Sequence, residues 1–332
     1  MSAYQRIAAM QGAAESLFTR RAGGNNIANQ AAFIADHKEA DMASIRRREF
    51  LAGAAAAGTL AILKKGAAAE TAPGGVPVIP GTDIPLVDYH VHVEAAPTLD
   101  KLIEISQARG VKFGIVEHAG TKENKYPVVL GNDEDLKRHI ASLEGKPFYK
   151  GVQAEFLDWA TCFSKDVVAR LDYVLSDALT LREKDGSRVE LWKAEKVKID
   201  DPQDFMDRYT AFNVEVISTE PIDILANPTF LPAAVARDFD ALWTPARMRR
   251  IIDAAVKFSV AIEISSSYRL PKPVFLKMAR EAGAKFSFGS NIRGPNVGKL
   301  DYCLEMVRAL GLKREDIFTP AQAGRKPIQV RR

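Results

Sequence analysis

From Pro85 onward this chain of 332 residues alternates short apolar runs with longer amphipathic stretches, and that alternation constrains its fold more than any other feature. The runs are Val87 to His92, Phe113 to Glu117, Gly151 to Glu155, Asp172 to Leu175, Ile222 to Ala226, Val260 to Ile264 and Lys285 to Gly289. Their lengths suit buried strands and are too short for helices. Between them the period changes to that of a helix. Leu99, Leu102, Ile103 and Ser106 share one face; Thr244-Pro245 supplies a cap and a first-turn proline ahead of Met248, Ile251, Ile252 and Ala255. Pro273 opens a segment carrying Phe275, Met278, Ala279 and Ala282 that stops at Gly283, and Leu300, Cys303, Leu304 and Val307 precede Gly311. Parallel strands need crossovers long enough to hold a helix, so this order predicts an α/β fold with a parallel sheet. Seven units predict a closed, TIM-like (β/α)7 barrel rather than an open sheet.

The strand ends carry the chemistry. His90 and His92, Glu117 and His118, Glu155, Asp177, Asn227, and Asn291 with Arg293 stand at or just past the ends of six of the seven runs. In a parallel barrel these ends converge on one face, where active sites form. Two residues apart on a strand, His90 and His92 point to the same side and can grip one ion. His139, at helical spacing among charges, reads as a surface residue. Cys303 reads as core, and Cys162 could pair with it only if the fold brings the two together.

Charge excludes one class of partner. Lys and Arg number 46 against 42 Asp and Glu, but residues 1–69 hold nine of the former and five of the latter, leaving 37 of each in the remainder. The body therefore has no basic excess for nucleic acid. Two cysteines cannot build a disulfide framework or a zinc ribbon, so any metal falls to His, Asp, Glu or Asn.

The set His90-Val91-His92, Glu117-His118, Glu155 and Gly289-Ser290-Asn291-Ile292-Arg293 resembles the polymerase and histidinol phosphatase (PHP) superfamily, over roughly Pro85 to Pro320. The resemblance implies a distorted (β/α)7 barrel of PHP type that hydrolyses phosphoesters with up to three ions of zinc, manganese or iron. By position, His90, His92 and Glu155 match ligands of a first ion, Glu155 also bridges to a second, and His118 matches a ligand of a third. The chain also departs from the family pattern. Glu117 stands for an Asp, Asp177 for a His once a small gap is allowed, Asn227 for a His, and Asn291 and Arg293 for an Asp and a His. Asn brings no charge to a divalent ion and Arg cannot ligate one, so the expectation is one ion rather than three, at His90, His92 and Glu155 with Asn291. The resulting mechanism is metal-assisted hydrolysis of a small anionic substrate. Glu117 or Asp177 takes the proton, and Arg293 stabilises the developing charge, with Arg269 and Lys272 as further anion contacts. The alternative on the same scaffold is a protein that binds an anionic or sugar-like ligand without turning it over. Residues Arg182 to Asp201 are too long for a simple connection and form a candidate lid.

The leader sets a compartment. Arg46-Arg47-Arg48-Glu49-Phe50-Leu51, an Ala-rich apolar run to Leu63, and Ala67-Ala68-Ala69 after Lys64-Lys65 have the layout of an export signal. The paired arginines before Phe-Leu resemble a twin-arginine signal, which implies the twin-arginine export machinery as a partner and a periplasmic or otherwise extracytoplasmic location. Thirteen apolar residues are too few to span a bilayer comfortably, so no stable membrane span remains after cleavage; an uncleaved anchor or a surface helix are the rival readings. Residues 1–41 read as a mis-assigned start or a disordered segment, with translation beginning at Met42. Residues 42–69 form the signal, 70–85 a linker rich in Pro and Gly, 86–320 the barrel and 321–332 a C-terminal tail.

Overall fold

The structure is a computed structural model that describes residues 71–72, 75–93, 97–121, 123 and 126–331; the segment read as an export signal and the segment before it lie outside these residues. Apart from residues 193–195, all described residues belong to one structural unit. Its frame is seven strands: β1 (Val87–His92), β2 (Lys112–Val116), β3 (Tyr149–Ala154), β4 (Tyr173–Ser176), β5 (Ile224–Leu225), β6 (Ala261–Ser265) and β7 (Phe286–Gly289). They lie side by side in chain order, every pairing parallel. Helices α1 (Leu99–Arg109), α2 (Asp133–Leu143), α3 (Pro202–Thr219), α4 (Pro245–Lys257), α5 (Pro273–Glu281) and α6 (Asp301–Leu310) make or follow the crossovers. The outer strands meet where the Asn291 N–H donates to His90 O at 3.2 Å. Asp88 fastens the same seam, its carboxylate accepting from the backbone N–H groups of His90, Ser290 and Gly298. This is the expected α/β barrel of seven units, nearly closed.

Helix starts follow from their caps. The Thr244 side chain accepts from Arg247 N with Pro245 in the first turn, and Asp201 accepts from Gln203 and Asp204 N with Pro202 in the first turn. Gly110 and Gly311 end α1 and α6 in the left-handed conformation that glycine adopts without strain.

One irregularity positions the site. Between Asp88 and Val91 the β1–β2 register slips, so that β1 carries one residue more than its neighbour. A bulge of this kind resets the side-chain alternation. Val87, before it, and Tyr89, within it, join the apolar cluster with Tyr173, Leu175, Ile224 and Ala261. His90, also within it, reaches the polar side chains of Gln153 and Glu263. The lower barrel thus forms an apolar floor. Tyr173 fills it, lying against Gly114 and Gly151 and donating to Tyr89 O at 2.6 Å. Tyr89 stacks on Tyr149 and meets Tyr173 and Phe318 edge-on.

Three expectations are corrected. The segment read as a linker already packs on the barrel from Val76 onward, with Val76, Val78, Ile79 and Ile84 buried and the Leu86 N–H bonded to Pro77 O. The C-terminal tail is docked: Ile328 is buried, Lys326 donates to the carbonyls of Ala169 and Leu171, and Arg331 donates to those of Ile217 and Glu220. His139 is buried, because it falls on the inner stripe of α2 with Leu136, Ile140 and Leu143, and its Nε2–H donates to Gly151 O at 2.9 Å. Cys162 and Cys303 are both free thiols. Among the described residues no helix is long and apolar enough to cross a membrane.

Candidate functional site

The carboxyl ends of the strands gather a buried polar cluster. His90, His92, His118, Gln153, Glu155, Asp177, Asn227 and Glu263 are each 9% exposed or less. The His90 and His92 rings lie 5.3 Å apart between centroids, and His92 stacks on His118 at 4.7 Å. His118 in turn lies under Tyr126 at 3.6 Å with the planes almost parallel, and Tyr126 packs beside Trp192. The far-apart imidazoles of the sequence therefore become one column of rings, roofed by two aromatic side chains.

Hydrogen bonds tie this column to the acids. His90 Nδ1 donates to Glu263 Oε1 at 2.7 Å, and His90 Nε2 faces the Gln153 carbonyl oxygen at 3.1 Å. The amide end of Gln153 donates to Asp177 Oδ2 at 3.3 Å. His118 Nδ1 lies 2.7 Å from Glu155 Oε1, and Tyr126 donates to Glu155 Oε2 at 3.2 Å. The second oxygen of Glu263 accepts from Asn227 N, and Asn291 donates to Asn227 Oδ1 at 3.5 Å. Gly289 is required beside them, since a Cβ there would lie 2.0 Å from Glu263 Oε1 and 3.0 Å from His90 Cβ. Asn227 and Asn291 both sit at positive φ, 48° and 45°, a region that asparagine tolerates better than most residues. Their identity thus serves the backbone as well as the site.

Burial governs the electrostatics. Desolvation raises Glu155 to about 8, against smaller opposing effects of Tyr126 and His90. Desolvation, reinforced by the Glu155 charge, raises Asp177 to about 7. For His90, desolvation pulls downward but Glu263, Asp177 and Asp88 together outweigh it, so the ring is held above its ordinary range. His92 lies well below it, through desolvation first and then the Arg293, His118 and His90 charges. The cluster thus holds two acids, Glu155 and Asp177, whose protonation changes near neutrality, the property that acid–base chemistry needs.

Sequence reasoning missed two members of this cluster. Glu263 lies inside Ala261-Ile262-Glu263-Ile264, and a charge in a buried strand is itself a flag. Gln153, two residues before the expected ligand Glu155, occupies the middle of the group. Glu117 is buried where β2 ends. Two expected anion contacts are corrected: Arg269 is held by Glu305 and the Tyr302 ring, and Lys272 by Asp240 over the Phe239 ring. Both cations are engaged in surface pairs. The expected lid is a hairpin, Thr180–Arg182 against Arg188–Glu190, tied down by Arg188 to Asp158 and over the Phe156 ring.

A divalent ion does not fit at His90 and Glu155 as they stand, whereas the buried Nδ1 of His92 has no hydrogen-bond partner. Among the described residues no group of three or more His, Cys, Asp or Glu side chains is placed to hold one. Both nitrogens of His90 face oxygen acceptors, and both oxygens of Glu155 are hydrogen-bonded.

No family model and no curated protein matches this chain. Solved structures that match include a histidinol phosphate phosphatase from Lactococcus lactis subsp. lactis, complexed with zinc, L-histidinol and phosphate, and a variant of the citrate synthase SbnG. The phosphatase is 13% identical with a TM-score of 0.47, over 73% of this chain and 97% of that one. The citrate synthase is 13% identical with a TM-score of 0.32, over 68% and 93%. The fold assignment rests on the strand order and pairing of this chain.

Proposed function

We propose that the barrel mouth takes a small anionic substrate, with phosphoesters as the leading class, and hydrolyses it by acid–base chemistry. The observation that carries this reading is the convergence of His90, His92, His118, Glu155 and Asp177 beside Arg293, at the end of a barrel where loops build active sites. In this reading Arg293 grips the anion through its planar guanidinium. Glu155, protonated at neutral pH, donates to the leaving oxygen, while Asp177 or Glu117 takes the proton from the attacking water. A second reading, ligand binding without turnover, is favoured by one observation: His90, Gln153 and Asp177 are already satisfied by one another.

Purified protein incubated with a generic phosphomonoester and phosphodiester, with and without chelator, separates these readings. Turnover that survives the chelator and is lost in Glu155→Gln supports hydrolysis. Saturable binding without turnover supports the second reading, and absence of both refutes each.

Export by the twin-arginine route, with a periplasmic product, is proposed on the leader sequence alone. Replacing Arg46 and Arg47 by lysine should retain the protein in the cytoplasm. Unchanged fractionation would contradict that proposal.

A further inference from the structure

The Gln153 amide lies between His90 and Asp177. Its carbonyl oxygen faces His90 Nε2 at 3.1 Å, and its NH2 donates to Asp177 Oδ2 at 3.3 Å. The Asp177 carboxylate, which only accepts when ionised, thereby fixes which end of the amide faces His90. On its other side His90 donates from Nδ1 to Glu263 at 2.7 Å. An oxygen thus faces each ring nitrogen at hydrogen-bond distance, and an ion reaches His90 only by displacing the Gln153 amide or the Glu263 carboxylate. Gln153 itself is 5% exposed and anchored from both directions of its strand: its N–H donates to Glu117 O, and it pairs with His118 and Leu175 on the flanking strands. The amide is part of the framework of the cluster.

We propose that Gln153 sets the cluster to hold no divalent ion, its carboxamide taking the ion's place, and that a carboxylate at this position converts the same side chains into a metal site. Gln153→Glu keeps the shape and changes the charge. The amide N–H contact to Asp177 becomes an opposition of two carboxylates, with Glu155 and Glu263 close by, and a buried group of acids is stable only with a compensating cation. The pull on His90 Nε2 then comes from an anion, and a divalent ion that displaces the ring proton gains an imidazole and two or three carboxylates as ligands.

The inference is independent of anion binding at Arg293, and its test reads metal rather than turnover. The full chain is titrated with zinc and with manganese by calorimetry, and its metal content is measured after dialysis, for the wild type, Gln153→Glu, Gln153→Glu with His90→Ala, and His90→Ala with His92→Ala. The wild type should retain no more of either ion than the double-alanine variant, and neither ion should move its melting temperature. Gln153→Glu should take up a single equivalent on the order of 100-fold more tightly than the wild type, as ligand charge dictates, with a melting temperature that rises on metal addition. Adding His90→Ala should abolish the gain. A wild type that binds an equivalent of zinc or manganese, lost in the double-alanine variant, overturns the proposal. So does a Gln153→Glu protein with a native circular-dichroism spectrum and no gain in affinity. Should Gln153→Glu fold only when zinc is present, the recovery of its spectrum on adding zinc is itself the predicted coupling. Should it not fold at all, the wild-type titration decides alone, tight uptake lost in the double-alanine variant overturning the proposal and its absence supporting it.

Discussion

The floor and the mouth of this barrel are built from the same strands and obey different physics. At the floor, Tyr173, Tyr89, Leu175 and Ile224 are held by shape, and the buried hydroxyl of Tyr173 is satisfied by Tyr89 O. At the mouth, three histidines and the acids Glu155, Asp177 and Glu263 are buried against one another, and desolvation pushes Glu155 and Asp177 to about 8 and 7. A region that spends stability in this way is expected where function is held. The single-residue slip in β1 lies where the two regions meet, and it contains both Tyr89, which joins the floor, and His90, which joins the mouth.

The largest effect of a single substitution is expected at the floor. Tyr173→Ala removes a buried ring and should lower stability by about 3–5 kcal/mol in a denaturant melt, since its neighbours Gly114 and Gly151 bring no side chain to fill the gap. A loss under about 1 kcal/mol would mean that the floor is not a packed layer. Gly289→Ala tests the mouth by the same steric logic. Its Cβ meets the Glu263 carboxylate, so it should cost about 1–3 kcal/mol and displace the acid from His90.

A third expectation turns on pH. Glu155 and Asp177 bind protons more tightly folded than unfolded, so their contribution to stability is complete below about pH 4 and is lost as pH rises toward 7 and 8. His92, held low, works in the opposite sense but only up to its ordinary value near 6.5. The wild type should therefore lose stability between pH 6.5 and 8, and Glu155→Gln should flatten that slope by on the order of 1–3 kcal/mol. Identical slopes in the two proteins would remove the case for a desolvated acid. The smallest effect belongs to Tyr126→Phe, which keeps the stack on His118 and deletes only the hydroxyl that reaches Glu155. It should change stability by about 0.5–1.5 kcal/mol, and a larger loss would make the roof a structural element.

Much of the floor was legible in the sequence and less of the mouth. All seven strands lie within two residues of the expected runs, because a parallel strand buried on both faces writes itself as an unbroken apolar run. Helix α4 was marked by Thr244-Pro245, and α5 by Pro273. Helix α3 went unread although Asp201-Pro202 carries the same signature, and the hairpin before it was marked by the Asp185-Gly186 turn. At the mouth, the titratable residues were legible because their chemistry is visible residue by residue. The role of Gln153 was not, since a neutral amide carries no signal until the pairing register places it between His90 and Asp177. Nor was the inward turn of His139, whose meaning depended on which stripe of α2 faces the sheet.

The most direct test of the division between a structural floor and a functional mouth is calorimetric titration of phenyl phosphate into the wild type, Arg293→Ala and Leu175→Ala. Saturable binding that weakens about 10- to 100-fold in Arg293→Ala, the cost of one charge-assisted contact, and survives in a folded Leu175→Ala protein is the predicted result. Equal affinity in the wild type and Arg293→Ala, or no binding to either, would contradict it.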